Sequence, residues 1–229
     1  MMKKSKADRL EAASPSAVGS LYRYLVTQCQ GVYQNLRFNR QKRDIVVYRV
    51  ECARDSLDEV KQQFNTALEK FSTLTHFQGG SLEEKYRHLK SEYDLSLAKA
   101  QALKNHIASV DEAALGLFAE WQEELQGYQS RSLRSNSQRS LKAARQHYNR
   151  LMKAMKEAEN KMYPVLAAFQ DQTLLLKHNL NAHAIAALEN DFVAVGINIA
   201  NLIGAMEKSI AEANCFLNSL VEQKALSAN

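Results

Sequence analysis

A chain of 229 residues that is 45% hydrophobic and 24% charged has enough apolar mass for one large domain or two small ones, and too much of it for disorder. Two prolines and eight glycines argue against a loop-rich or all-β fold, and the odd count of three cysteines (Cys29, Cys52, Cys215) makes no disulfide framework. No apolar run reaches the roughly 20 residues of a spanning helix, and the net charge of +5 is unevenly spread, two acid-free basic tracts standing against an acidic remainder.

Residues 1–14 read as a disordered N-terminus. Ser14-Pro15 then reads as an N-cap followed by a first-turn proline, and Val18, Tyr22, Leu25, Cys29, Val32 and Leu36 keep helical spacing through an amphipathic basic segment at 15–38. The apolar stripe lapses at Asn39 and Arg43. It resumes as Val46, Val50, Ala53, Leu57, Val60, Phe64, Ala67, Phe71 and Leu74, a helix expected over 40–77 and ended by Gly79-Gly80. Ser81-Leu82-Glu83-Glu84 is a capping box that opens a second helix, expected over 81–127. Its 3-4 spacing runs unbroken from Leu82 to Trp121, with only Ser96 off-type.

A serine-rich stretch, Ser130 to Ser140, predicts the next connection, because serine competes for backbone hydrogen bonds and favours turns. A third helix over 137–177 carries Leu141, Ala144, Tyr148, Leu151, Met155, Ala158, Met162, Val165 and Phe169, with a kink expected near Asn160 from Pro164. No Gly or Pro marks the last boundary. There the stripe changes face, resuming as Ile185, Leu188, Phe192, Val195, Ile199, Leu202 and Met206, which predicts a turn at His178–Asn181 and a fourth helix over 182–223, with 224–229 as a tail. Cys52 and Cys215, beside seam positions, read as small buried hydrophobes. The uncharged stretch Phe192–Met206 reads as the driest part of a core.

A 3.5-residue repeat held this long marks helices wound along a shared seam, and short connections make neighbours antiparallel. The expected fold is therefore all-α: an elongated antiparallel four-helix bundle of helices about 60 Å long, preceded by the amphipathic segment. A hairpin that completes its core as a homodimer is the alternative.

Chemistry is sparse. Gly79-Gly80 lacks the Lys-Ser/Thr of a nucleotide loop, no Glu-x-x-His occurs, and His178 and His183 fall on different helix faces, so neither cofactor nor metal nor catalytic residues are predicted and the chain reads as non-enzymatic. Charge is the exception. No acid occurs from Ala12 to Arg43, which hold Arg23, Arg37, Arg40, Lys42 and Arg43, and none occurs from Leu125 to Lys156, where Arg131, Arg134, Arg139, Lys142 and Arg145 are followed by three more cations. Up-down connectivity would bring both tracts to one tip. That predicts an anion-binding end, for which a membrane surface is the better partner because no nucleic-acid reading module is present. Pairing of these cations with Glu120, Glu123 and Glu124 of the neighbouring helix is the competing expectation.

The strings Phe77-Gln78-Gly79-Gly80-Ser81-Leu82-Glu83-Glu84-Lys85-Tyr86, Phe118-Ala119-Glu120-Trp121-Gln122-Glu123-Glu124-Leu125, Lys161-Met162-Tyr163-Pro164-Val165-Leu166 and Leu176-Lys177-His178-Asn179-Leu180-Asn181-Ala182 resemble a bacterial family, domain-of-unknown-function family 2959, over about Lys42 to Leu217. The resemblance implies a helical bacterial protein with no assigned activity, associated with the envelope. Members often begin with a lipoprotein signal ending in Cys, and Cys29-Gln30-Gly31-Val32-Tyr33 stands in the equivalent place. Gln28 replaces the small residue expected before that cysteine and Arg23 interrupts the apolar signal core, so Cys29 reads as a plain helix residue, with lipidation the alternative, and a cytoplasmic location stays open. The expected function is a coiled-coil scaffold or interaction protein with an unidentified protein partner. Its alternatives are a membrane-remodelling or pore-forming helical protein and an enzyme or metal protein with a site inside the bundle.

Overall fold

The computed structural model describes residues 15–76, 81–178 and 182–226, with side chains described at 41–73, 81, 83–178 and 191–221. Four helices account for them: α1 Pro15–His76, α2 Leu82–Gly127, α3 Arg131–His178 and α4 Ala182–Leu226. The chain divides into two units, Met1–Lys42 and Arg43–Asn229. The first is described as helical backbone from Pro15 together with the side chains of Gln41 and Lys42. The second is an antiparallel four-helix bundle in which α2, α3 and α4, at 46, 48 and 45 residues, are each about 70 Å long.

Cross-helix contacts fix the direction of each pair. Glu59 on α1 takes Lys99 of α2 at 2.9 Å, and four residues further along α1 the Gln63 amide donates to Glu92 at 2.9 Å, so α2 runs backwards along α1. Likewise Arg150–Glu212, Glu157–Lys208 and Gln172–Asp191 step oppositely along α3 and α4. The seam is the predicted one. Val46, Val50, Ala53, Leu57 and Phe64 of α1, Leu103, Val110 and Leu117 of α2, Leu151, Met155 and Val165 of α3, and Ile199, Leu202 and Phe216 of α4 are all at most 1% exposed. Phe64, Phe71, Phe169 and Phe192 form a chain of ring contacts at 5.7–6.4 Å joining α1, α3 and α4.

The off-type Ser96 is fully buried and belongs to a polar layer: Gln63 donates to it at 3.4 Å and to Glu92, whose other oxygen takes Lys70 at 2.5 Å. The seam also continues through Ser209, buried with no hydrogen-bond partner for its hydroxyl among the described residues. The capping box forms as expected, Glu84 N donating to Ser81 Oγ and Ser81 N to Glu84 Oε2, both at 3.2 Å. Such a cap is worth about 1 kcal/mol.

Several expectations need revision. α1 passes unbroken through the lapse at 39–43, since a missing apolar contact removes packing but no backbone hydrogen bond. α3 begins at Arg131 and not near 137. Ser130 alone caps it, its carbonyl accepting from Arg134 N at 3.0 Å and its hydroxyl from Leu133 N at 3.4 Å, and the connection is only residues 128–130. Ser137 is held within the helix by accepting the Trp121 indole N–H at 2.9 Å. Cys215 is exposed and Cys52 half-buried, both unpaired, because each sits one position off the seam. In Phe192–Met206, Val193 and Ile197 are 66% and 58% exposed, so that stretch is dry on one face only. Pro164 lies inside α3 on its exposed side. The turns predicted at Gly79-Gly80 and Asn179–Asn181 lie outside the described residues.

Candidate anion-binding surface

The basic tract of α3 begins where the helix emerges from a three-residue turn, which places its first cations on a solvent-facing end. Arg131, Arg134, Arg139 and Lys142 are all exposed. Among the described residues Arg131, Arg134 and Lys142 form no ion pair, and Arg139 hydrogen-bonds Asn136 Oδ1 at 2.6 Å. The pairing with Glu120, Glu123 and Glu124 that would have neutralised these four is therefore not formed among the described residues.

Two other cations of the expected set have structural work. Arg145 donates to Gln122 Oε1 at 3.3 Å and to the Phe118 carbonyl at 3.4 Å, and its guanidinium lies 5.7 Å from the Phe118 ring centre. Arg43 stacks its guanidinium 5.3 Å from the centre of the Trp121 ring. Burial pushes its pKa down, opposed by the carboxylates of Asp44 and Glu124, and its Nε is buried without a partner among the described residues. A cation laid on an indole face is held by the ring quadrupole and is less available to an external anion. Arg43, Trp121 and Ser137 thus form a clasp between α1, α2 and α3.

Of the remaining expected residues, Lys42 is half-buried in the N-terminal unit, while the side chains of Arg37, Arg40 and Cys29 lie outside the described residues. The structure accordingly brings together the α3 members of the set, Arg131, Arg134, Arg139 and Lys142. Among the described residues no helix is long and apolar enough to cross a membrane, and no group of three His, Cys, Asp or Glu is placed to hold a metal. His178 ends α3 on its exposed side, and His183 is outside the described side chains.

A family described as a protein of unknown function (DUF2959) matches residues 33–220, and the chain belongs to that family. No curated protein matches it.

Proposed function

We propose that this family member is a non-enzymatic scaffold or interaction protein of the bacterial envelope, held at an anionic membrane surface by the basic start of α3. The observation that carries the reading is the set of exposed cations Arg131, Arg134 and Lys142, which no acid of the described residues neutralises. Each Lys or Arg beside an anionic leaflet contributes about 1 kcal/mol, so a handful suffices for reversible attachment. The long bundle, its interior closed by seam side chains and its buried Gln63–Glu92 pair met at the surface by Lys70, suits a spacer that presents side faces to a protein partner.

Vesicle binding tests this. The full chain should bind phosphatidylglycerol-containing vesicles and leave pure phosphatidylcholine unbound, with binding that falls steeply as salt shortens the screening length below about 10 Å. Reversal of Arg131, Arg134 and Arg139 to Glu should abolish it with helicity unchanged. Indifference of the intact chain to anionic vesicles at low salt would sink the reading. If Cys29→Ser alone released the protein from membranes in cells, lipidation and not the arginines would be the anchor.

A further inference from the structure

The cations of α3 do not stop at its end. Starting from Arg139, the positions Lys142, Gln146, Asn149, Lys153, Lys156 and Asn160 follow a 3-4-3-4 spacing, and every one is exposed. This is the outward stripe of the helix, opposite the seam residues Leu151, Met155 and Ala158. Continued, it meets Tyr163 at 51% and Leu174 at 43% exposure, with one exposed acid, Asp171, beside Leu174. The carboxylates nearest the lysines are turned aside: Glu157 takes Lys208 of α4 at 3.0 Å, and Glu159 accepts from the Tyr163 hydroxyl at 3.3 Å. The outward residues of α1 and α2 are acidic on balance. Within the bundle α1 exposes Asp44, Glu51, Asp55, Glu59 and Glu69 against Arg49 and Lys70, and α2 exposes Glu83, Glu84, Asp94, Glu112 and Glu123 against Arg87 and Lys104.

We infer that the bundle docks on the anionic bilayer side-on, with the outward face of α3 lying along the lipid surface from Arg139 to Leu174. This rests on the membrane reading above and adds the orientation of the rod. Charge complementarity selects α3 over the acidic outer faces of α1 and α2. The half from Asn160 to Leu174, whose one exposed charge is Asp171, selects lipid over nucleic acid, since an exposed tyrosine and leucine in line with a basic stripe are interfacial anchors with no counterpart on a phosphate backbone.

Side-on and end-on docking separate cleanly by distance. Lys156 lies 25 residues along the helix from Arg131, about 38 Å. If only the start of α3 touched lipid, Lys153 and Lys156 would stand several screening lengths away at ordinary salt and would contribute nothing. The experiment is sedimentation of the full chain with phosphatidylglycerol–phosphatidylcholine vesicles, comparing Lys153→Glu/Lys156→Glu, Arg131→Glu/Arg134→Glu, and Arg49→Glu/Lys104→Glu as a control with the same charge change on the exposed surfaces of α1 and α2. All are scored for helicity, so that a misfolded variant is replaced by the milder Lys→Gln pair. Side-on docking requires the Lys153/Lys156 variant to weaken binding about tenfold or more beyond the control. If that variant binds like the control while the Arg131/Arg134 variant fails, the side-on inference is overturned and the end-on reading stands. If neither differs from the control, both fall. Binding to a DNA duplex in preference to the vesicles would overturn the choice of lipid.

Discussion

Along α3 the outward positions are occupied by Arg139, Lys142, Lys153 and Lys156, whereas along α4 they are Val193, Ile197, Ala200 and Gly204, all exposed. Inward, the two helices are alike: Leu151, Met155, Ala158 and Val165 on one, Val195, Ile199, Leu202 and Met206 on the other, all buried. Packing at crystal-like density constrains the inward set to apolar residues at fixed spacing. No such demand acts on the outward set. The outer faces can therefore diverge without disturbing the bundle, and a difference between them is a statement about what each face meets. A charged helix face is cheap to solvate and says little by sign alone. What sets α3 apart is that from Arg131 to Lys156 it carries one sign of charge and no acid.

The contrast breaks first at the seam. Ile199→Ala on α4 and Leu151→Ala on α3 should each cost about 2–5 kcal/mol in chemical denaturation, through lost burial and the cavity left behind. Ile197→Ala, two residues from Ile199 but 58% exposed, should cost less than about 0.5 kcal/mol. A comparable loss at Ile197 would mean that its face is covered in solution, and the description of α4's outer side as open would be wrong.

These seam residues were legible in the sequence because their spacing is a local property that survives any choice of neighbours. The same holds for the capping box at Ser81–Glu84. Legibility ended where a residue's fate depends on a distant one. Arg43 belonged to the basic set by sequence, yet Trp121, 78 positions away, takes its guanidinium. Ser132, Ser135 and Ser137 read as a turn because serine's intrinsic preference was the only signal, and helical packing with the Trp121–Ser137 bond overrode it. Ser96 stood as an off-type residue until Gln63 of α1 was set across from it. The outer stripe Lys153–Lys156 was readable from the same heptad as the seam. It is a property of the helix surface, and charge summed along the chain does not separate Lys153 and Lys156 from cations such as Arg145 that face a neighbouring helix.

A second, smaller effect links α3 to its other neighbours. Tyr148 donates its hydroxyl to Asp111 of α2, and its ring packs edge-on to Phe118 at 5.3 Å and 6.4 Å from Phe216 of α4. Burial, then the hydrogen bond and charge of Asp111, push the phenol pKa above its ordinary 10.0. A raised folded-state pKa stabilises fully below the unfolded value and is lost as pH rises through the folded one. Tyr148→Phe should thus cost about 1–2 kcal/mol at neutral pH. Above about pH 10 the excess stability contributed by the suppressed ionisation declines in the wild type, so its unfolding midpoint should fall toward that of the variant. A wild-type–variant difference that stays constant up to the pH at which the wild type unfolds would show that Tyr148 ionises as freely in the fold as out of it.

The smallest effect sharpens the comparison from α4's side. Gly204 lies in the helix interior on the exposed face, and a Cβ built there meets nothing within 4 Å. Glycine in a helix interior gives up more backbone entropy on folding than alanine, at a cost of about 0.5–1 kcal/mol. With no steric term to set against that gain, Gly204→Ala should stabilise the bundle by about the same amount, read as a higher denaturation midpoint at unchanged slope. Gly196, equally open, should respond the same way. Loss of stability at Gly204 would require something pressed against the backbone there. Because Val193, Ile197 and Ala200 share that face, the obstruction would mark it as a contact surface and not as the plain counterpart of the basic stripe on α3.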